Sequence, residues 1–134
     1  MNKQIFVNLP VKDLEKSKAF FAALGYTFNP QFTDDNAASM IINDGSIYAM
    51  LLTEPFFKGF TGKPLVNAKE ATEVLVCLTC ESRAEVDGLV QKALAAGGKA
   101  PRQPQDHGFM YAHGFEDLDG HIWELVYMQP QAPQ

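Results

Sequence analysis

The chain has 134 residues, 46% of them hydrophobic and 20% charged, with ten Phe and four Tyr, which is enough apolar material for one compact domain or two small intertwined modules. Its net charge is −5, and no cluster of Lys or Arg forms a stripe able to track phosphates, which argues against nucleic acid and against an anionic membrane surface as partners. No apolar run approaches the length of a membrane span, and the first ten residues lack the apolar stretch of a secretory signal, so the expectation is a cytoplasmic protein.

Ile5 to Leu9 reads as a strand. Asp13 is suited to cap a helix that ends before Gly25, with Leu14, Phe21 and Leu24 on one helical face and Phe20 at its edge. Three strands are expected next, at about Tyr26 to Phe32, Ala38 to Asn43 and Ile47 to Leu52. Thr53 to Thr72 reads as a connector, because Pro55, Gly59, Gly62 and Pro64 interrupt regular structure. Its Phe56, Phe57 and Phe60 suit either a lid over a pocket or the cover of a sheet edge or subunit contact. Gly62-Lys63 resembles the end of a phosphate-binding loop, but the glycine spacing is wrong and Pro64 stands where Ser or Thr is needed.

A second run of the same kind follows. Val74 to Cys80 reads as a buried strand. Ser82-Arg83-Ala84-Glu85 is a capping box, in which Ser82 and Glu85 satisfy each other's free backbone donors. The helix it opens carries Val86, Leu89, Val90, Ala93 and Leu94 on one face and stops at Gly97-Gly98. Strands are expected at Lys99 to Arg102, Phe109 to Phe115 and His121 to Tyr127. The polar, proline-containing tail from Gln129 is expected to fray. The organisation predicted is a single domain over 1–134, with a first module at 1–53, a linker at 54–72, a second module at 73–128 and a tail at 129–134.

The two cysteines, Cys77 and Cys80, form a Cys-x-x-Cys pattern that invites a redox or zinc reading. Period-two strand geometry sends residues three apart to opposite faces, so the thiols point away from each other. A zinc site also needs two further ligands. The expectation is two buried small side chains.

Both runs read β-α-β-β-β, and both place an Asp-Gly turn before the fourth strand. Asp44-Gly45-Ser46-Ile47-Tyr48-Ala49 recurs 75 residues on as Asp119-Gly120-His121-Ile122-Trp123-Glu124. The second copy carries a carboxylate, Glu124, between the apolar residues Ile122 and Val126 of its own face, whereas the first has Ala49 at the matching place. A carboxylate among apolar neighbours is costly unless paired, hydrogen-bonded or protonated. Glu124 therefore suits a metal ligand, a general base or an anchor for a cationic group, with a structural carboxylate tied to a buried Arg, Tyr or backbone group as the alternative.

This layout resembles the vicinal-oxygen-chelate superfamily of glyoxalase I, bleomycin-resistance proteins, fosfomycin-resistance transferases and extradiol dioxygenases. The matching stretches are Leu9-Pro10-Val11-Lys12-Asp13-Leu14-Glu15-Lys16-Ser17 leading to Phe20-Phe21, and Phe115-Glu116-Asp117-Leu118-Asp119-Gly120-His121-Ile122-Trp123-Glu124-Leu125. The resemblance implies an α+β fold of paired βαβββ modules forming a cupped mixed sheet, joined within one chain or between the two chains of a homodimer. It implies a small-molecule ligand and, in metal-dependent relatives, a divalent ion held by His, Glu or Gln of the first and fourth strands.

Glu124 falls on the closing glutamate of that pattern. The first-strand position lies seven residues before the helix cap, which is Phe6 in the first module and Leu75 in the second; a slip of two puts Glu73 there instead. One carboxylate does not hold zinc, nickel or iron tightly, so the ordinary metal site reads as incomplete and Glu124 is the single carried-over ligand. Asn8 shares the face of Phe6. Phe109, Tyr111 and His113 share one face of the seventh strand: if it lines the cup it is an aromatic wall with polar tips, and if it faces the helix Met110 and Ala112 line the cup instead. His107, His113 and His121 read as surface or turn histidines, Trp123 as core, and Asp44, Asp117 and Asp119 as turn formers. The leading expectation is a ligand-sequestering protein, or one with metal-free chemistry at Glu124. The rivals are a divalent-metal-dependent lyase, isomerase or dioxygenase, and a non-catalytic dimer module whose cup is filled by Phe6 and Leu75.

Overall fold

The computed structural model describes residues 3–130. It divides into two compact units, 1–67 and 68–134. The first contains β1 (Ile5–Val11), α1 (Leu14–Ala23), β2 (Thr27–Phe28), a 3-10 turn (Pro30–Phe32), β3 (Ala37–Asn43), β4 (Ile47–Thr53) and α2 (Glu54–Lys58). The second contains β5 (Leu75–Thr79), α3 (Arg83–Ala95), β6 (Gln105–Asp106), β7 (Met110–Glu116) and β8 (Ile122–Met128). The sheet orders, β1-β4-β3-β2 and β5-β8-β7-β6, are the same arrangement twice. In each unit the strand before the helix pairs in parallel with the last strand, and the other pairs are antiparallel. The repeated β-α-β-β-β pattern is therefore repeated structure.

Local chemistry explains the helix ends. The Asp13 carboxylate accepts from the Lys16 N–H at 3.1 Å, and the Ser82 hydroxyl accepts from the Glu85 N–H at 3.0 Å. The box at Ser82 is not reciprocal: the Glu85 carboxylate accepts from the Glu81 N–H at 2.7 Å rather than from Ser82. Past the helix ends stand Gly25 and Gly97 with φ of 104° and 105°, which a side chain would strain.

In the first unit Leu9, Val11, Ala38, Met40, Ala49 and Leu51 make one fully buried sheet face. α1 packs over β3 and β4 and contributes buried Leu14, Ser17, Phe20 and Phe21. The opposite face carries Phe6, Asn8, Tyr48 and Met50, with the Phe6 and Tyr48 rings stacked at 4.8 Å. In the second unit Phe115, Trp123 and Leu125 lie buried on the side of α3, whose Val86, Val90 and Ala93 are also buried. Its other face, bearing Leu75, Cys77, Ile122, Glu124 and Val126, is open.

Four local expectations are corrected. The strand expected from Tyr26 to Phe32 is two residues long and gives way to the 3-10 turn at Pro30, because Asn29 caps that turn by accepting from the Gln31 N–H. The strand expected from Lys99 to Arg102 shrinks to a bridge between Lys99 and Glu116, since Pro101 has no N–H for the ladder. The connector holds a short helix, Glu54–Lys58, with Pro55 in its first turn. Cys77 is exposed on the open face and Cys80 is half-buried, rather than both being buried, and both thiols are free. Of the tail, 131–134 lies outside the described residues.

Candidate functional site

The second unit holds a cleft of ≈ 100 Å³ beside β7 and β8. Its lining includes Arg102, Gln105, Ala112, Gly114, Ile122 and Glu124. The register explains why these residues converge. Gly114 of β7 lies opposite Glu124 of β8, Ala112 opposite Val126, and Glu116 opposite Ile122, so these share one face of the β7–β8 pair, and Gln105 of β6 joins them as the partner of Ala112. On the far side of β8, Cys77 of β5 is the Cα partner of Glu124. Glu124 is half-buried, flanked by Ile122 and Val126 and faced across the strand by a residue with no side chain.

Gly114 is glycine for a local reason. A Cβ built there falls 2.7 Å from the Trp123 carbonyl oxygen, which no side chain tolerates without moving the β8 backbone. The bare stretch of cleft wall beside Glu124 follows from that close approach. The carboxylate of Glu124 in turn acts on Cys77, whose thiol is pushed up by burial first and then by the Glu124 charge. Cys80 is pushed up to about 11 by burial, with Glu85 and Cys77 adding to it.

Several residues expected at the site lie elsewhere. Tyr111 and His113 share the β7 parity of buried Phe115, opposite to that of Ala112 and Gly114, although His113 also lines the cleft. The Tyr111 hydroxyl donates to the Asp87 carboxylate of α3 at 2.6 Å, and the Arg83 guanidinium sits 5.1 Å from the Tyr111 ring centroid. His113 Nε2 lies 3.1 Å from the Arg102 carbonyl oxygen, so it holds the 101–105 segment at the cleft's rim. Phe109 precedes β7 and is exposed. Met110 and Ala112 take the open face, the second of the two arrangements that parity allows.

Ala49 is also displaced from the expected position. It is 0% exposed on the α1 side of its sheet, and Met50 occupies the place corresponding to Glu124. The registers show this directly: Cys77, two after Leu75, pairs with Glu124, and Asn8, two after Phe6, pairs with Met50. The β3–β4 loop is shorter than the β7–β8 loop and follows a register irregularity between Ile41 and Asn43, which shifts the sequence repeat by one residue. Phe6 and Leu75 do lie on open faces, at 48% and 50% exposed.

The turn leading into β8 is held by a buried carboxylate. Asp117 accepts from the backbone N–H groups of Asp119 and His121 and from Trp123 Nε1, each at 3.0 Å. Burial raises its pKa above the ordinary value, while His121 and the three donors pull the other way. The reading of Asp117 as a turn former was right, but its role as the partner of Trp123 was not visible in the sequence. Glu116 and Arg102, both lining the cleft, were also missed. The alternation Ala112, Gly114, Glu116 on β7 was the available signal.

Comparison with known proteins adds the family. Residues 3–43 match the model of the bleomycin resistance protein-like N-terminal family. A hypothetical protein of S. aureus has a structure that is 32% identical, covers 95% of each chain and superposes with a TM-score of 0.78. A glyoxalase-related enzyme from Fulvimarina pelagi is 19% identical over 95% of this chain and 88% of its own, with a TM-score of 0.79. The fosfomycin resistance protein FosX from Mesorhizobium loti is 16% identical over 95% and 92%, with a TM-score of 0.67. The chain has the fold of the glyoxalase and bleomycin-resistance proteins, and its first unit matches the bleomycin resistance protein-like N-terminal family. No curated protein matches it in sequence.

The likeness to glyoxalase-related proteins raises the matter of a metal. The corresponding strand positions in this chain hold Phe6, Met50, Leu75 and Glu124, of which three offer no ligand for a hard or borderline divalent ion. Among the described residues no group of three His, Cys, Asp or Glu side chains is placed to hold an ion. The donor set does not fit the family's usual metal site.

Proposed function

We propose that this chain is a cytoplasmic, small-molecule-binding member of the vicinal-oxygen-chelate superfamily that takes its ligand at the Glu124 face, by sequestration or by metal-free proton transfer through that carboxylate. The observation that supports this reading is the make-up of the open faces. Of the positions that correspond to metal ligands only Glu124 is ionisable, and it stands beside a cleft with small and apolar neighbours. A half-buried carboxylate in such a cleft attracts an N–H donor or a cationic group more strongly than it would in water. The second unit also carries all of the net charge, with five basic residues against ten acidic ones from 68 to 134, which favours neutral or cationic ligands over anions.

We place the working form as a homodimer. Among the described residues β1 and β5 each end a sheet with one side free of a strand partner, and Ile5, Phe6, Val74 and Leu75 at these edges are exposed. Lys3 and Lys12 flank β1, whereas Glu73 and Glu81 flank β5, so the β1 edge of one copy is complementary in charge to the β5 edge of another.

Metal analysis of protein purified without chelator, together with a thermal-shift ligand screen of wild type and Glu124→Gln, tests the binding reading. The expected result is far less than one ion per chain and at least one ligand whose stabilisation disappears in the variant. About one tightly held ion per chain overturns the metal-free form in favour of a metal-dependent lyase, isomerase or dioxygenase. Ligand responses identical in both proteins overturn the role of Glu124. Sedimentation at micromolar concentration tests the dimer, and a monomer refutes it.

A further inference from the structure

The cleft contains a recognition element that is made of backbone. Along β7 the even-numbered residues direct their N–H and C=O groups toward the 99–107 segment. Glu116 exchanges both bonds with Lys99, at 2.7 and 3.1 Å, and the Met110 carbonyl accepts from the His107 N–H at 2.8 Å. Odd-numbered positions point the other way: the Phe109 carbonyl accepts from the Gln129 N–H at 2.7 Å. Between these contacts the ladder opens. Ala112 is opposed by Gln105 and Glu116 by Lys99, so the five residues 100–104 bow out against the three residues 113–115.

The sequence of that bow, Ala100-Pro101-Arg102-Gln103-Pro104, explains the opening. Continuing the register from Lys99 sets Pro101 opposite Gly114, and proline has no N–H to offer the Gly114 carbonyl. Among the described residues no hydrogen bond from the 100–104 segment reaches the Gly114 N–H or C=O. The His113 imidazole, by donating to the Arg102 carbonyl, holds the bow in place instead of letting it close. Gly114 thus presents one donor and one acceptor, side by side, into a cleft that Glu124 also lines. Half-buried backbone groups of this kind lose free energy unless they are paired.

We propose that the cleft takes a planar cyclic amide or heteroaromatic ring whose edge carries an acceptor next to an N–H donor, paired to the Gly114 N–H and C=O, with Glu124 accepting a further donor from the same ligand. This inference rests on the reading of the cleft as a small-molecule site and names the ligand class. The absent side chain at 114 lets a flat ring approach the strand edge. The ≈ 100 Å³ of the cleft suits a single ring rather than a peptide strand. The donor–acceptor requirement is selective, because a ligand lacking the N–H leaves the Gly114 carbonyl buried and unpaired.

The test is amide NMR on the full chain with three probes: 2-pyridone, which has both groups on one edge; N-methyl-2-pyridone, which lacks the donor; and benzylamine, an aromatic cation with no such edge. The expected result is a saturable shift of the Gly114 amide with 2-pyridone and binding at least tenfold weaker for the N-methyl compound. Equal affinity for the two pyridones, or no movement of Gly114 up to millimolar 2-pyridone while benzylamine binds wild type but not Glu124→Gln, overturns this proposal and leaves the binding reading intact. Failure of all three probes to perturb Gly114, Ile122 or Glu124 overturns both.

Discussion

Replacing Trp123 by Phe is the sharpest test of how the turn before β8 is held. The indole N–H donates to a carboxylate that is only 6% exposed, and Phe removes that donor without offering another. Losing a hydrogen bond to a buried charged group costs about 1.5–3 kcal/mol. Trp123 is itself 1% exposed and stacked on Phe115, with ring centroids 6.4 Å apart, so the smaller ring leaves a gap worth roughly 1 kcal/mol more. A total of about 2.5–4 kcal/mol is expected at neutral pH, a large share of the 5–15 kcal/mol typical of a domain. Urea denaturation followed by far-UV circular dichroism is the assay, since the chain's single Trp is removed.

The pH dependence adds a second criterion. Burial raises the Asp117 pKa, so the folded state holds that proton more tightly than the unfolded chain does. Its contribution to stability is greatest below the ordinary carboxylate value and is lost as pH rises through the folded value. Trp123 favours the charged form, so the cost of Trp123→Phe is largest above the folded value and shrinks as the carboxyl takes up its proton in acid. A loss under ~1 kcal/mol at neutral pH, or a loss that does not change with pH, refutes the account.

Three further outcomes follow from the same structure. Gly114→Ala forces a methyl against the Trp123 carbonyl and is expected to cost about 1–3 kcal/mol, read from the urea midpoint. Ser82→Ala removes the cap on α3 and is expected to cost about 0.5–2 kcal/mol, with faster amide exchange confined at first to the Ala84 and Glu85 turn. Alkylation of Cys77 near pH 8 is expected to speed up in Glu124→Gln, because the neighbouring negative charge that disfavours the thiolate is gone, while Cys80, with its pKa pushed up to about 11, stays the slower thiol in both proteins.

Much of the fold was legible because its signals are local. Asp13 and Ser82 mark helix starts by supplying acceptors for free N–H groups, and Gly25 and Gly97 mark the ends by adopting φ near 105°. Two such helices, each between strands of period-two apolarity, imply a duplicated β-α-β-β-β chain. The position of Glu124 on an otherwise uncharged strand was readable in the same way. The strands at Tyr26 to Phe32 and Lys99 to Arg102 were misjudged where Pro30 and Pro101 withdraw donors from the ladder.

The composition of the site was not legible, because strand parity divides residues into two faces without saying which face a helix covers. Tyr111 went to the α3 side through Asp87, and His113 to the cleft's rim through the Arg102 carbonyl, contacts 24 and 11 residues away. Ala49 and Met50 exchanged the expected faces because one hairpin loop is shorter than its counterpart and an adjacent irregularity shifts the register, and a slip of one residue in a strand reverses every side chain. The opening opposite Gly114 exists only once Lys99 and Gln105 are both paired to β7. Capping and periodicity act over a few neighbouring residues and can be read along the chain. The facing of a sheet and the gaps in its ladders depend on partners distant in sequence, and they form only when each unit packs within itself.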